Sequence, residues 1–209
     1  MPAKSGRREK HRKLLKVKLK IKKKAKESSG VTRLVRKYWV QRYNLFSRFD
    51  EGIELDEEGW YSVTPESIAV RHAKRVEDGL VVDCFTGCGG NAIQFAAIFT
   101  EVGAICHVSL SRVYEGDVVF LSPPWGGPSY IQSQKFTLDM LKPKDGWSLF
   151  QAAQSITPNI IMFLPRNVDI NQVAELSWLS SPPLDVEIEE NYVGENAKAI
   201  TAYFGDATN

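Results

Sequence analysis

The chain has 209 residues, 43% of them hydrophobic, and a formal net charge of +2. That length allows one domain with a sizeable core and an appendage. There is no apolar run of about eighteen residues and no apolar stretch behind the basic N-terminus, so neither a membrane-spanning helix nor a secretory leader is expected.

A soluble, intracellular protein with no membrane partner is therefore predicted. Cys84, Cys88 and Cys106 are an odd number with no paired spacing, which gives no disulfide framework and points to a reducing compartment. With His11, His72 and His107 they match no zinc spacing, and no metal is expected.

The small net charge hides an asymmetry. Residues 1–26 hold thirteen Lys or Arg and one acid, leaving fourteen bases against twenty-four acids in the remainder. A segment such as LLKVKLKIKKK at 14–24 has no core to bury, and its like charges repel, so residues 1–30 are predicted to be a disordered tail. RNA, a nuclear import receptor or ribonucleoprotein proteins would neutralise it; a solvated extension is the plainer reading.

After the linker signal Glu27-Ser28-Ser29-Gly30, the segment 31–49 mixes aromatic and basic residues at helical spacing, and residues 31–62 read as an N-terminal helical subdomain or lid. The face Leu34, Tyr38, Tyr43, Phe46 and Phe49 fits core better than a ligand platform. Thr64-Pro65-Glu66-Ser67 reads as an N-cap with proline at the first helical position, opening a helix over about 65–77 in which His72 is a structural histidine.

Leu80-Val81-Val82-Asp83 is an apolar strand ending in an acid, followed by the glycine-rich run Cys84 to Asn91 and a helix over 92–99. Strand, glycine loop and helix in that order place a ligand at the strand's carboxyl end, where the backbone can approach it and the helix offers free N–H groups. Asp83 is positioned to hold polar cofactor groups there. Asp117 to Leu121 is a second strand, ending in Ser122-Pro123-Pro124-Trp125-Gly126-Gly127-Pro128. The two prolines stiffen its exit, so that Ser122 and Pro123 are held to meet an exocyclic amine while Trp125 stacks on the base that carries it. An aromatic amine is a weak nucleophile, and methyl transfer to it depends on in-line positioning. Further on, strands are expected at 160–164, 186–188 and 199–204, a helix at 169–176, and an antiparallel pair joined through Val193-Gly194-Glu195-Asn196.

The blocks RKYWVQRYNLFSRFDEGIELDEEGWYSVTPE, VVDCFTGCGGNAIQFA, DVVFLSPPWGGPSY, NIIMFLPRN and ITAYFGD resemble, in order, the trimethylguanosine synthases, class I methyltransferases that use S-adenosylmethionine. The resemblance covers most of 36–206. It implies an α/β fold: a Rossmann-like mixed sheet flanked by helices, the methyltransferase domain occupying 63–209. It implies methylation at guanosine N2, turning the 7-methylguanosine cap of small nuclear and nucleolar RNAs into 2,2,7-trimethylguanosine, with capped RNA as partner. Trp125 would stack on the methylated base, Ser122 would lie by its N2, and Phe46 would wall the cap pocket. Lys37, Tyr130, Arg166 and Lys198 match positions that contact the cap triphosphate. Ser62, Thr64, Asp83, Gly87 and Gly89 match positions near the cofactor, with Phe85 and Asn91 of the same loop beside them. A nuclear address, in the nucleolus or nuclear bodies, follows from that role and the basic tail.

One departure stands out. Where the family continues after the glycine-loop helix with a strand ending in ribose-binding acids, then another helix and strand, this chain passes from Ala96 to Asp117 roughly thirty residues short, about one βαβ unit. Glu101 and Glu115, the acids in between, close no apolar strand. A centrally shortened sheet and weakened or absent S-adenosylmethionine binding are expected. A non-catalytic cap-binding protein, and an amine methyltransferase acting on adenine, are the alternative readings.

Overall fold

The computed structural model describes residues 32–208 except 34, 77–78, 99–101 and 105–116, with the backbone alone at 102–104 and 208. The basic tail lies outside the described residues. The chain divides into two units, Met1–Arg42 and Tyr43–Asn209.

In the first unit the described residues form one short helix, α1 (Arg36–Trp39), and the start of α2 (Arg42–Leu45). The helical spacing over 31–49 is realised as two single turns, with Val40 and Gln41 between them. The aromatic stripe divides with it: Phe46 and Phe49 are buried, while Tyr43 is exposed. Phe49 packs on Trp60 with ring centroids 5.4 Å apart. Each turn is too short to hold its shape alone, so tertiary contact decides which aromatics turn inward.

The second unit is a six-stranded sheet in the order β2-β1-β3-β4-β6-β5. Its strands are β1 (Val81–Asp83), β2 (Val102–Ala104), β3 (Val118–Leu121), β4 (Ile160–Pro165), β5 (Val186–Val193) and β6 (Asn196–Phe204). β1 to β4 are mutually parallel; β6 runs antiparallel to β4 and to β5. β2 was absent from the sequence reading, because Val-Gly-Ala carries too little periodicity to mark a strand. Its register on β1 pairs Asp83 with Ala104, so it ends without an acid.

The strands β1, β3 and β4 are buried throughout, as in a sheet covered on both faces. Val82, Val119, Leu121, Met162 and Leu164 face a core filled by α6 (Gly146–Gln154) and α7 (Ile170–Glu175). Val81, Phe120, Ile161, Phe163 and Tyr203 face the opposite core, with Ile68 and Ala73 of α4 (Glu66–Arg75) and Phe95 of α5 (Gly90–Ile98). The remaining helix, α3 (Glu57–Ser62), is capped by Asp56, whose side chain accepts from Gly59 N.

The N-cap of α4 is Pro65, not Thr64, and Pro65 has no side chain with which to cap. The Thr64 hydroxyl instead accepts a hydrogen bond from Asn91 at 2.7 Å. The hairpin expected at 193–196 is present, with Val193 paired to Asn196 across Gly194-Glu195.

Candidate active site

From β1 the chain moves outward to β2 and then returns to the other side of β1 as β3. This makes the carboxyl ends of β1 and β3 a topological switch point, the place where open α/β sheets leave a crevice for ligands. Asp83 pairs with Phe120 there, and Cys84 N donates to Phe120 O at 3.0 Å. The glycine loop and the Ser-Pro-Pro-Trp segment therefore start side by side.

On the β1 side, Asp83 is 1% exposed and accepts from Phe85 N at 3.1 Å. Burial pushes its carboxyl up to about 7, against the smaller opposing effect of that hydrogen bond. The loop turns through Gly89 N donating to Thr86 O at 2.8 Å and enters α5. Gly90 is required by close approach: a Cβ there would lie 2.8 Å from Val63 Cγ2. The Ser62–Thr64 segment is thereby pressed against the first turn of α5. Thr64 and Asn91 meet at this crossing; Asp83, Phe85, Gly87 and Gly89 lie on the strand end and loop that lead to it, and Ser62 ends α3 next to Val63. Asn91 is buried, and both ends of its amide are engaged, with Thr64 and with His72; its side chain faces inward, not onto the loop surface.

On the β3 side, the Ser122 hydroxyl donates to Phe85 O at 3.4 Å, tying the two loops together. Pro123 is buried, and Pro124 O accepts from Lys142 N at 3.1 Å. Trp125 is half-buried, its ring 5.4 Å from Phe163 and 5.3 Å from Tyr130, the latter edge-on at 83°. Gly126 and Gly127 follow with φ of 83° and 72°, a left-handed pair that turns the chain sharply back beneath the tryptophan. A Cβ on Gly127 would sit 3.8 Å from Tyr61 of α3, so the lid helix borders this loop.

The third wall was only partly legible. β4 ends in Pro165, which pairs with Ala199, so Arg166 and Lys198 follow at the adjoining register positions. Arg166 is exposed and donates to Ala197 O at 3.3 Å. Asn167, which sequence reasoning passed over, donates to Tyr130 O at 3.4 Å and Ser133 O at 2.8 Å and so fastens the loop behind Trp125. Its place in Pro165-Arg166-Asn167 was the available signal. Phe46 is buried in the larger unit, where Ser47 next to it is held by the Glu66 carboxylate through its hydroxyl at 2.8 Å. Lys37 belongs to the first unit, where its ammonium lies 4.6 Å from the ring centre of Tyr38.

Cys84 is buried and Cys88 exposed; neither is in a disulfide. Burial pushes the Cys84 thiol up to about 12 and raises that of Cys88, which keeps both as inert thiols. Among the described residues no cluster of His, Cys, Asp or Glu could hold a metal ion, and no helix is long and apolar enough to cross a membrane.

A buried acid at a strand end, a loop with glycines at 87, 89 and 90 and the N-terminus of a nine-residue helix together suit a zwitterionic amino-acid group, the acid facing its ammonium and the N–H groups its carboxylate. They fit the methionine end of S-adenosylmethionine.

The arrangement defines a class I methyltransferase. The crystal structure of a protein from Porphyromonas gingivalis W83 assigned as a methyltransferase superposes with a TM-score of 0.63 at 11% identity, over 82% of this chain and 49% of that one. At the level of sequence, the model of the RNA cap guanine-N2 methyltransferases matches residues 78–115 and 105–207. The trimethylguanosine synthase of Schizosaccharomyces pombe is 41% identical over 212 residues, taking in 83% of this chain and 87% of the relative. That of Saccharomyces cerevisiae is 32% identical over 213 residues, with 81% and 67% covered. This chain belongs to the RNA cap guanine-N2 methyltransferase family, whose members use S-adenosylmethionine.

The same figures locate the shortened segment. An alignment of 212 positions that holds 83% of 209 residues leaves on the order of forty positions of the fission-yeast protein with nothing opposite them, about one βαβ unit. The family model matches in two pieces that overlap at 105–115, which puts the break between α5 and β3.

Proposed function

We propose that this chain methylates N2 of the guanine in 7-methylguanosine-capped RNA, converting the cap to the 2,2,7-trimethyl form. The observation that carries the proposal is the joining of the glycine loop to the Ser-Pro-Pro-Trp loop through Ser122 and Phe85, which sets a base-stacking ring beside a cofactor loop. When bound, S-adenosylmethionine supplies an electrophilic methyl group on a sulfonium.

The remaining work falls to the chain's own residues. Trp125 offers the ring face on which a cationic 7-methylguanine stacks, an attraction between the charged base and the π-system. Because the Ser122 hydroxyl hydrogen points to Phe85 O, its lone pairs are left to accept a hydrogen bond from the N2 amine. Pro123 and Pro124 keep that oxygen from swinging, so the amine is turned before reaction rather than during it. Tyr130, Arg166 and Lys198 are assigned to the cap phosphates, for which fixed cations such as the last two are the natural partners; Lys37 is assigned to phosphate by the family resemblance alone. Phe46 is assigned to the wall of the base site. Asp83, Ser62 and Thr64, with the backbone of Phe85, Gly87, Gly89 and Asn91, are assigned to the cofactor.

The substrates proposed are small nuclear and nucleolar RNAs, and the compartment is the nucleus, including the nucleolus or nuclear bodies. The basic segment 1–26 supports this as a site for an import receptor, ribonucleoprotein proteins or RNA. A reporter fused to residues 1–26 should enter the nucleus; one that stays cytoplasmic contradicts that address.

The reaction itself is tested by single turnover with 7-methylguanosine-capped RNA and labelled S-adenosylmethionine, beside Trp125→Ala and beside cap binding alone. Transfer that depends on the 7-methyl group and is lost in the variant supports the proposal. Cap binding without transfer would make the chain a reader of caps, not a modifier.

A further inference from the structure

A buried polar chain runs through the core beneath the cofactor loop. His72 of α4 is 0% exposed, and both ring nitrogens are engaged: Nδ1 with Asn91 Oδ1 at 3.0 Å, Nε2 with Thr201 Oγ1 at 2.9 Å. Asn91 Nδ2 donates onward to Thr64 Oγ1, and Thr201 Oγ1 accepts from Asn191 Nδ2, both at 2.7 Å. The amide oxygen of Asn91 can only accept, so His72 carries its proton on Nδ1 and accepts at Nε2 from the Thr201 hydroxyl. Every link then has one donor and one acceptor. The ring itself is wedged between Phe120 and Phe163, at 5.2 Å from each, and cannot rotate out of this arrangement without opening the core.

The chain connects the second residue of α5 and the segment entering α4 to the middle of β6 across the sheet face that α4 covers. Both near ends, Asn91 and Thr64, border the crossing where the cofactor loop turns into its helix. Relatives carry roughly one βαβ unit more on the β2 side of that helix than this chain has. The first turn of α5 is held on the side facing α4 and β6, by the Asn91 amide and by the contact of Gly90 with Val63.

We propose that His72 is a positioning residue for the cofactor half of the site: by bridging Asn91 to Thr201 it fixes the first turn of α5, and with it the glycine loop, against β6. This deepens the methyltransferase reading and rests on it. Trp125 of the base half shares the Phe163 ring with His72, but no hydrogen bond of the chain reaches Ser122 or Trp125, so the base half should feel the loss of these links far less.

The full chain is tested as wild type, His72→Phe, His72→Gln and Thr201→Val. S-adenosylhomocysteine binding is measured by calorimetry, 7-methylguanosine triphosphate binding by quenching of tryptophan fluorescence, and exchange of amides 88–93 by mass spectrometry. The proposal expects His72→Phe to weaken S-adenosylhomocysteine by about tenfold and speed exchange at 88–93, with the cap affinity held within about twofold. His72→Gln, which can keep one of the two hydrogen bonds, should recover part of the loss. Should His72→Phe fail to unfold cooperatively, Thr201→Val decides, because it cuts the far link and leaves α4 and α5 intact. Equal weakening of both ligands, or unchanged S-adenosylhomocysteine binding in a folded variant, overturns the proposal, as does a wild type that binds none. A wild type that binds S-adenosylhomocysteine but no cap sinks the cap reading alone; exchange at 88–93 then serves as the second readout.

Discussion

Two buried titratable groups, Asp83 and His72, shape the pH response of this protein in opposite senses. Burial lowers His72 from 6.5 to about 4, so between those values the unfolded chain binds the proton and the folded chain does not; stability falls as pH falls. Burial raises Asp83 from 3.8 to about 7, so the folded chain holds the extra proton, and stability falls as pH rises through that window. Each shift amounts to roughly 3 to 4 kcal/mol, and the two nearly cancel between pH 4 and 7. Replacing one exposes the other. Urea unfolding should show Asp83→Asn losing stability from pH 7 to 4.5 relative to wild type, and His72→Gln gaining it; variants that track the wild-type profile would contradict the assignment. At Trp125 the expectation concerns binding. Trp125→Ala should lower affinity for 7-methylguanosine triphosphate by about 1 to 3 kcal/mol, the worth of one base stacked on an aromatic ring, and Trp125→Phe by less, as read by titration. These side chains were largely visible in the sequence, because an acid closing an apolar strand and an aromatic after two prolines are local signals. Asn167 was not, because its role lies in two carbonyls, of Tyr130 and Ser133, that are distant along the chain.

At the level of elements, the reading held best where the hydrophobic pattern was long. β1, β3, β4 and α4 appeared within a residue or two of their expected bounds. β5 extends to Val193 beyond the expected 186–188, since Glu187 and Glu189 alternate with Val186 and Ile188 and are held by ion pairs to α4, and the strand pairs with β6 along its length. One of these ion pairs, Arg71 to Glu189, is 2.7 Å long, and the other joins Arg75 to Glu187. The segment 31–49 forms short helical turns, because mixed aromatic and basic residues give a helical period without fixing how far each turn extends. The junction of α3 with α5 gives the sharpest test at this scale. Gly90→Ala places a Cβ 2.8 Å from Val63 Cγ2, and the overpacking should cost about 1 to 3 kcal/mol in urea unfolding. Val63→Ala, which opens that space, should recover part of the loss in the double variant; additive losses would show that the clash is not the cause.

For the whole molecule, the shortened stretch between α5 and β3 is the feature that separates this chain from its relatives. The base half of the site stands on β3 and β4, buried throughout, and on β6, buried from Ala199 onward, whereas the cofactor half leans on β2, three residues long and without a terminal acid. Cap binding should therefore be near that of the yeast relatives and cofactor binding weaker. Inserting the unmatched positions of the fission-yeast protein between α5 and β3 should tighten S-adenosylhomocysteine binding in calorimetry while leaving cap affinity unchanged. An insertion that changes neither would mean that residues 99–116 already complete the site.

The sequence by itself determined the fold class, the two ligand loops and their order, and the gap between them, because strand-loop-helix punctuation and the Ser-Pro-Pro-Trp string are encoded by neighbours in the chain. Only the tertiary structure decided that Ser122 meets Phe85, that Asn91 turns inward to His72, and that β2 forms at all. Those outcomes depend on hydrogen bonds and burial between residues far apart in sequence, where no local propensity distinguishes one partner from another.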